Sequence, residues 1–411
     1  MSLPSRVLHV VNYGWPAVDG YTVRTMGLLE AQRTHLGIEA RVAASPFAPL
    51  TSATDPASAT DHWGPEVQTE TREHGARAAL SWERPRLGIA PGARTAYREA
   101  LREIVREFRP EVVHAHHPWA SASVAREAAE AEGVPFVYEL RCFNGDYDLD
   151  GDSLYERARG RWQNALEARL LGKTRTVVTI SDGLRDRILG LGVPQERVHV
   201  VRNAVDTGRF APSETASPDE PETLHVGYAT TFEPMEGLDD LVRAIAIARP
   251  RLEAQGRRLR ATIAGTGRDW DRISALVREL GLADTVTLPG LVPYGQMPDF
   301  YRSLDLFVVS RREAPVSADT TPLKPLEALA CARPVLATDL PAMRELMGGR
   351  EDVRFAAPGP DGLAAGMGDF AQGPWRGTGE IGDRAWRREI ERYREVYAHA
   401  LAPTSRDAVP A

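Results

Sequence analysis

Lys324 and Glu327 stand three residues apart in Thr321-Pro322-Leu323-Lys324-Pro325-Leu326-Glu327-Ala328-Leu329-Ala330, a stretch composed like the start of a helix that holds an anion. Thr321 is a good N-cap, Pro322 suits the first helical position, and Pro325 still lies in the tolerant first turn. The free N–H groups and the dipole of such a start favour phosphate. Lys324 adds a full positive charge at the same end. Glu327, an acceptor-only side chain one turn further in, suits a pair of sugar hydroxyls. The chemistry predicted is the binding of a nucleoside diphosphate with its ribose. A capped helix with solvated Lys and Glu is the plainer alternative. Context favours the ligand: the apolar strand Leu304 to Val309 and a polar loop precede, and strand Pro334 to Ala337 follows. That places the helix start at the carboxyl end of a parallel strand, where open α/β sheets bind nucleotides.

These elements belong to an alternation that runs along most of the chain. Strands are expected at Arg6–Val11, Glu39–Ala43, Val112–Ala115, Val134–Leu140, Thr176–Ile180 and Val198–Val201. Helices are expected at Thr22–His35, up to Phe108, and at Ser121–Glu132, Leu154–Leu171 and Asp182–Leu189. Ser45 to about Pro91 lacks periodicity and reads as a long mobile loop. Ala211 to Thr223 is acidic, without large aliphatic residues, and reads as a linker. A second series follows: strands Leu224–Ala229, Arg260–Ala264 and Thr285–Leu288, and helices Gly237–Ala248, Asp269–Leu280 and Met297–Arg302. A last helix, around Arg384–Ala400, carries Trp386, Tyr393, Val396 and Tyr397. The pattern is α/β, with two Rossmann-like doubly wound parallel sheets.

Length supports the division, since 411 residues exceed one comfortable core. The net charge of −7 argues against a dedicated nucleic-acid binder. Cys142 and Cys331 are the only cysteines, which excludes a disulfide framework and fits a reducing, cytoplasmic setting. The amino-terminal residues run straight into a strand without a signal-peptide pattern, and no apolar run reaches bilayer length, so membrane contact is expected to be peripheral at most, at the inner membrane face.

Several segments, in order, resemble a known family. Arg6–Tyr13 with the loop Pro16-Ala17-Val18-Asp19-Gly20, His114-Ala115-His116-His117-Pro118, and Val201–Asp206 with Phe210 lie in the first half. Gly265-Thr266-Gly267, Leu288-Pro289-Gly290 and Thr321–Ala330 lie in the second. Together they resemble the GT-B glycosyltransferases of family 4, retaining enzymes that use nucleotide sugars. Tyr138–Arg141, Met235–Asp239 and Thr321–Glu327 look most like a bacterial branch associated with exopolysaccharide and cell-surface glycans. The resemblance implies two Rossmann-like domains facing each other across a cleft. The acceptor-side domain would be 1–205 with 386–411, the linker 206–222, and the donor-binding domain 223–385.

By the same resemblance, a sugar passes from a nucleoside-diphosphate donor, a UDP-sugar being expected, to an acceptor hydroxyl on a glycan, glycolipid or natural product. No cofactor and no metal are implied, because basic groups neutralise the leaving diphosphate. His116 matches the cleft histidine that positions donor or acceptor, and Asp319 and Glu327 match a glutamate pair eight positions apart. Gly20, Arg312, Lys324 and Thr321 would hold the diphosphate, Glu327, Leu323 and Thr230 the nucleoside, and Arg141 and Asn144 the acceptor. The sequence departs from the family at two cations in the loop after the first donor-domain strand, where Tyr228 and Glu236 stand. Lys324 and the Arg311-Arg312 pair are the expected replacements. These departures motivate an alternative, a non-catalytic partner subunit of another transferase; a sugar-nucleotide epimerase is a further one.

Three other patterns imply less. Asp146-x-Asp148-x-Asp150-Gly151 resembles an EF-hand opening, but Arg157 occupies the position of the bidentate Glu, so an acidic surface turn is expected. Gly265-x-Gly267 is followed by Trp270 where a dinucleotide fingerprint needs glycine. His114, His116 and His117 lack zinc spacing.

Overall fold

The computed structural model describes residues 3–12, 19–45, 91–151, 153–213, 222–373 and 375–403. The expected loop after Ser45 and most of the expected linker lie outside these residues. The chain forms two compact units, Met1–Arg202 with Arg387–Ala411, and Asn203–Trp386.

The first unit holds strands β1 (Arg6–Val11), β2 (Glu39–Ala44), β3 (Val112–His116), β4 (Phe136–Leu140), β5 (Thr176–Thr179) and β6 (Val198–Val200), and the second β7 (Thr223–Ala229), β8 (Arg258–Ala264), β9 (Val286–Thr287), β10 (Leu306–Val309), β11 (Val335–Thr338) and β12 (Val353–Ala356). The sheets run β2-β1-β3-β4-β5-β6 and β12-β11-β10-β7-β8-β9, all pairs parallel. Strands such as TVVT and LFVV are buried along their whole length, as sheets covered by helices on both faces require. Strand order reverses between β1 and β3 in one unit and between β7 and β10 in the other, so each has a switch point at which such sheets bind ligands.

Several helices differ from expectation. The first runs Gly20–Ala31 and continues as a π-helical turn, Gln32–Leu36. The last is broken into Trp386–Glu389, a 3-10 turn and Tyr393–Leu401. Strand β12 and helix Pro360–Gln372, which complete the second sheet and cover it, were not picked out from periodicity. Phe210, expected with the segment that ends the first domain, is buried in the second unit against Tyr294 and Tyr301.

Candidate active site

In the second unit the groups gather at the carboxyl ends of β7 and β10. Gly237 stands with φ +62°, and a Cβ there would lie 2.1 Å from the Ser310 carbonyl oxygen, so glycine lets the two loops touch. Ser310 Oγ donates to the Glu236 carbonyl at 2.8 Å. The Glu236 carboxylate, buried, accepts from Arg311 (2.8 Å from NH2) and from the Tyr228 hydroxyl. Burial pushes this carboxyl up, but the Arg311 guanidinium with its hydrogen bonds outweighs that and holds it below the usual range. The two residues that depart from the family pattern are thus partners of each other and of Arg311. The Arg311 NH1 donates to the Thr320 carbonyl at 2.9 Å, so this cation is balanced within the fold. Arg312, expected at a diphosphate, forks onto Asp240 (2.7 and 2.9 Å) and reaches Asp239 at 2.8 Å.

Lys324 stands apart. Among the described residues it makes no hydrogen bond or ion pair, and it is half-buried at the first position of helix Lys324–Ala330. The helix begins there and not at Pro322, because Thr321 is not its N-cap. The Thr321 carbonyl and hydroxyl oxygens instead accept from Asn203 Nδ2, at 2.7 and 3.3 Å, which ties residue 321 to the preceding chain. Leu323 takes the cap position without a side-chain bond. Glu327, one turn in, is buried and accepts from the Tyr301 hydroxyl at 2.6 Å; burial raises its pKa, against the pull of Tyr301 and Lys324. Leu323 and Thr230 are buried nearby in sequence to these loops, and Asp319 ends the short helix Pro315–Asp319. Gly265 has φ +128°, and a Cβ there would lie 1.8 Å from the Thr230 carbonyl oxygen, so glycine lets these loops pack.

In the first unit the strand register assembles a polar cluster. His114 and His116 alternate onto one face of β3; His9 of β1 lies beside His114, and Glu139 of β4 beside His116. All four are fully buried. Arg141 NH2 donates to His116 Nδ1 at 2.8 Å, which leaves the proton on Nε2 to bond His9 Nδ1 at 2.9 Å. His9 Nε2 then donates to Gln32 Oε1 (2.9 Å), Gln32 Nε2 to Tyr397 (2.6 Å), and the Tyr397 hydroxyl to His114 Nδ1 (3.1 Å). Burial lowers His9 to about 3 and His116 to about 4, so the imidazoles are neutral. Glu139 is the anion that two arginines share: Arg141 Nε and Arg24 Nε reach it at 2.7 and 3.0 Å, and Tyr393 donates to its second oxygen.

His116 was expected beside a reacting sugar. The structure buries it with both ring nitrogens engaged, so its contact is with Arg141, whose guanidinium also stacks 4.6 Å from the Tyr21 ring. Ring nitrogens of His9, His114 and His116 lie within 4.8 Å of one another, a spacing open to a metal ion. Arg141 at 2.8 Å from His116 and Arg24 on Glu139 place two guanidiniums beside the histidines, which disfavours a further cation there. Gly20 opens helix Gly20–Ala31, whose N-cap is Asp19 in a capping box with Thr22; a Cβ at Gly20 would meet nothing within 4 Å. The remainder of that loop, 13–18, lies outside the described residues.

Asn144 accepts from His117 Nε2 at 2.8 Å. That leaves His117 Nδ1 as a bare lone pair, 3.8 Å from Glu167 Oε2 and without a hydrogen bond. Glu167 accepts from Tyr138 at 2.6 Å, and burial pushes it up to about 8. Since this exceeds the unfolded value near 4.3, the folded chain keeps a proton that the unfolded chain loses. The group's contribution is greatest below about pH 4.3 and is lost as pH rises through about 8. Glu167→Gln keeps an acceptor for Tyr138 and a donor toward His117, giving up the 3.3 Å contact from the Trp119 N–H. It is expected to raise stability at pH 8 by about 2–4 kcal/mol and less at pH 5, read by urea unfolding at both pH values. Asp146, expected in an acidic surface turn, is buried, with Arg187 NH2 and Asn164 both at 2.8 Å.

Arg24, Gln32 and His9 were not singled out from sequence, and Tyr393 and Tyr397 were read only as spaced residues of the last helix. The available signal was single polar residues inside otherwise apolar strands, His9 in RVLHVV, His114 and His116 in VVHAH and Glu139 in FVYEL; the helical members gave none.

Residues 19–204 match the model of a glycosyl transferase 4-like domain, and 221–372 that of glycosyl transferases group 1. The chain is 29% identical over 332 residues, 71% of each protein, to a D-inositol 3-phosphate glycosyltransferase of Thermobispora bispora. It is 27% identical over 398 residues, 83% of this chain and 92% of that one, to the protein of the same name from Frankia alni. Among solved structures it is similar to sucrose-phosphate synthase from Thermosynechococcus elongatus (TM-score 0.70, 18% identity, 96% of each chain). It is also similar to Anabaena HepE in complex with UDP and glucose (TM-score 0.67, 17% identity, 96% of this chain and 97% of that one).

Proposed function

Because this chain belongs to the GT-B glycosyltransferases of family 4, we propose that it moves a sugar, with retention, from a nucleoside-diphosphate donor to an acceptor hydroxyl. The chain is a glycosyltransferase; the donor, stereochemistry and acceptor are the proposal. The observation that carries it is Lys324, a half-buried cation that makes no hydrogen bond or ion pair among the described residues, at the switch-point end of the second sheet and one turn from Glu327. The diphosphate takes Lys324 as its counter-charge. The ribose hydroxyls use the lone pairs of Glu327 that Tyr301 leaves open, with Thr230 and Leu323 beside the nucleoside. Asp319 takes the sugar. The transition state is oxocarbenium-like, and charge gathering on the leaving diphosphate is met by a cation already in place, with neither metal nor cofactor in the scheme.

Arg141 and Asn144 take the acceptor, and His116 positions Arg141. The Arg141 guanidinium suits an acceptor bearing phosphate as well as hydroxyls. This agrees with the relatives named for D-inositol 3-phosphate and supports a phosphorylated polyol over a neutral glycan. UDP is the proposed nucleotide, on the likeness to a chain whose complex contains it.

The test is a thermal-shift titration of wild type and Lys324→Ala with UDP, GDP, ADP, TDP and CDP. Binding to the folded state raises the melting temperature by mass action. Stabilisation of wild type by UDP, lost in the variant, is the expected result. No shift with any nucleotide would favour the non-catalytic subunit, a reading that rests on Arg311 being balanced by Glu236.

A further inference from the structure

Helix Leu154–Lys173 has two unlike sides. Its inward side buries Gly160, Glu167, Leu170 and Leu171. Its outward side carries, at helical spacing, Leu154, Tyr155, Arg161, Trp162, Arg169 and Lys173, all exposed. Leu154 is 80% exposed, Tyr155 62% and Trp162 43%. These are three of the few large apolar side chains left open on the described surface, and Tyr147, on the short helix just before, is a fourth. An outward face should be the polar one. Here it is not.

The outward charges of the helix itself have one sign; in the turn that precedes it, Asp150 is exposed. Glu156 turns back to close a capping box with Ser153, and Glu167 is buried, so no carboxylate of the helix faces outward. Arg161, Arg169 and Lys173 make no hydrogen bond or ion pair among the described residues. Neighbouring Arg157 and Arg159, by contrast, are held by Gly151 and Asp148. Three unpaired cations and a group of exposed aromatic and aliphatic side chains therefore share one stripe on a protein whose net charge is −7. A second copy of the chain laid on this stripe would bring cation against cation. An anionic bilayer surface complements both features: headgroup phosphates take the cations, while Trp, Tyr and Leu enter the boundary of the acyl region.

We propose that the Leu154–Lys173 face docks the protein onto an anionic lipid surface. The helix follows β4 and runs back along the sheet, so Leu154 and Tyr155 lie at the same end of the sheet as Arg141 and Asn144. Docking through that end holds the candidate acceptor groups of this unit next to the lipid surface. The inference does not depend on the proposed donor or acceptor.

The experiment is co-sedimentation of the full chain with phosphatidylcholine vesicles, with and without phosphatidylglycerol. Wild type is expected to sediment with the anionic vesicles and not with phosphatidylcholine alone, and to be released by salt. Two variants at exposed positions separate the contributions: Leu154→Ser with Tyr155→Ser and Trp162→Ser, and Arg161→Gln with Arg169→Gln and Lys173→Gln. Each should weaken binding at least about tenfold, since one cation at an anionic surface is worth roughly fivefold, with the melting temperature and nucleotide response of wild type. Failure of wild type to bind anionic vesicles, or wild-type binding by either variant, overturns the proposal. So does an apolar variant that abolishes self-association in solution while vesicle binding stays unchanged, which would assign the face to a second copy.

Discussion

Glu139→Gln is expected to destabilise the protein by about 3–5 kcal/mol, the cost of breaking a buried ion pair from one side. Arg24 and Arg141 both bond its Oε1, and both arginines are buried. Glutamine keeps the shape and removes the carboxylate that both buried guanidiniums share. Burial by itself would raise the Glu139 carboxyl, but Arg24 and Arg141 outweigh it and hold it well below the usual carboxylate range. A folded value below the unfolded one means stability that is present above about pH 4.3 and lost as pH falls through the folded value. The loss in the variant should therefore be full at pH 7 and shrink in acid, opposite in direction to the effect of Glu167. Urea unfolding of wild type and variant between about pH 2 and pH 8 measures both. Equal loss across that range would mean that shape, not charge, is what Glu139 contributes.

Lys324→Ala is expected to lower kcat/KM with a UDP-sugar by about 10²–10³-fold, the range seen when one preorganised group facing developing charge is removed. The charge on the leaving diphosphate grows toward the transition state, so kcat should fall along with donor affinity. Lys324→Arg should recover part of the loss, because it restores the charge in a different shape. Stability should change little, since Lys324 makes no hydrogen bond or ion pair among the described residues, and the urea midpoint of the variant checks this. Arg311→Ala provides the contrast. Its guanidinium belongs to buried Glu236, so its removal should destabilise the fold first, with activity loss following from that.

Much of the architecture was legible from the chain. Hydrophobic runs of strand length separated by helix-length periodic segments specify two doubly wound sheets, because a strand buried on both faces leaves an unbroken apolar signature. The strand ends fall within a few residues of expectation, as at Val112–His116 and Leu306–Val309. Lys324 and Glu327 were legible for a similar reason: their spacing is local, and one turn of helix sets their relation. The start of their helix was not. Thr321 and Pro322 are good opening residues in isolation, yet Asn203, 118 positions away, holds Thr321 outside the helix. The roles of the arginines were equally out of reach. Whether a cation awaits a phosphate or already has a carboxylate depends on what folding brings to it across tens of residues, as with Arg311 and Glu236 or Arg312 and Asp240. His116 shows the same limit. Its residue type and place at a strand end are written in the sequence, but its burial, its bond to Arg141 and its neighbour His9 follow from strand order and register, which are properties of the assembled sheet.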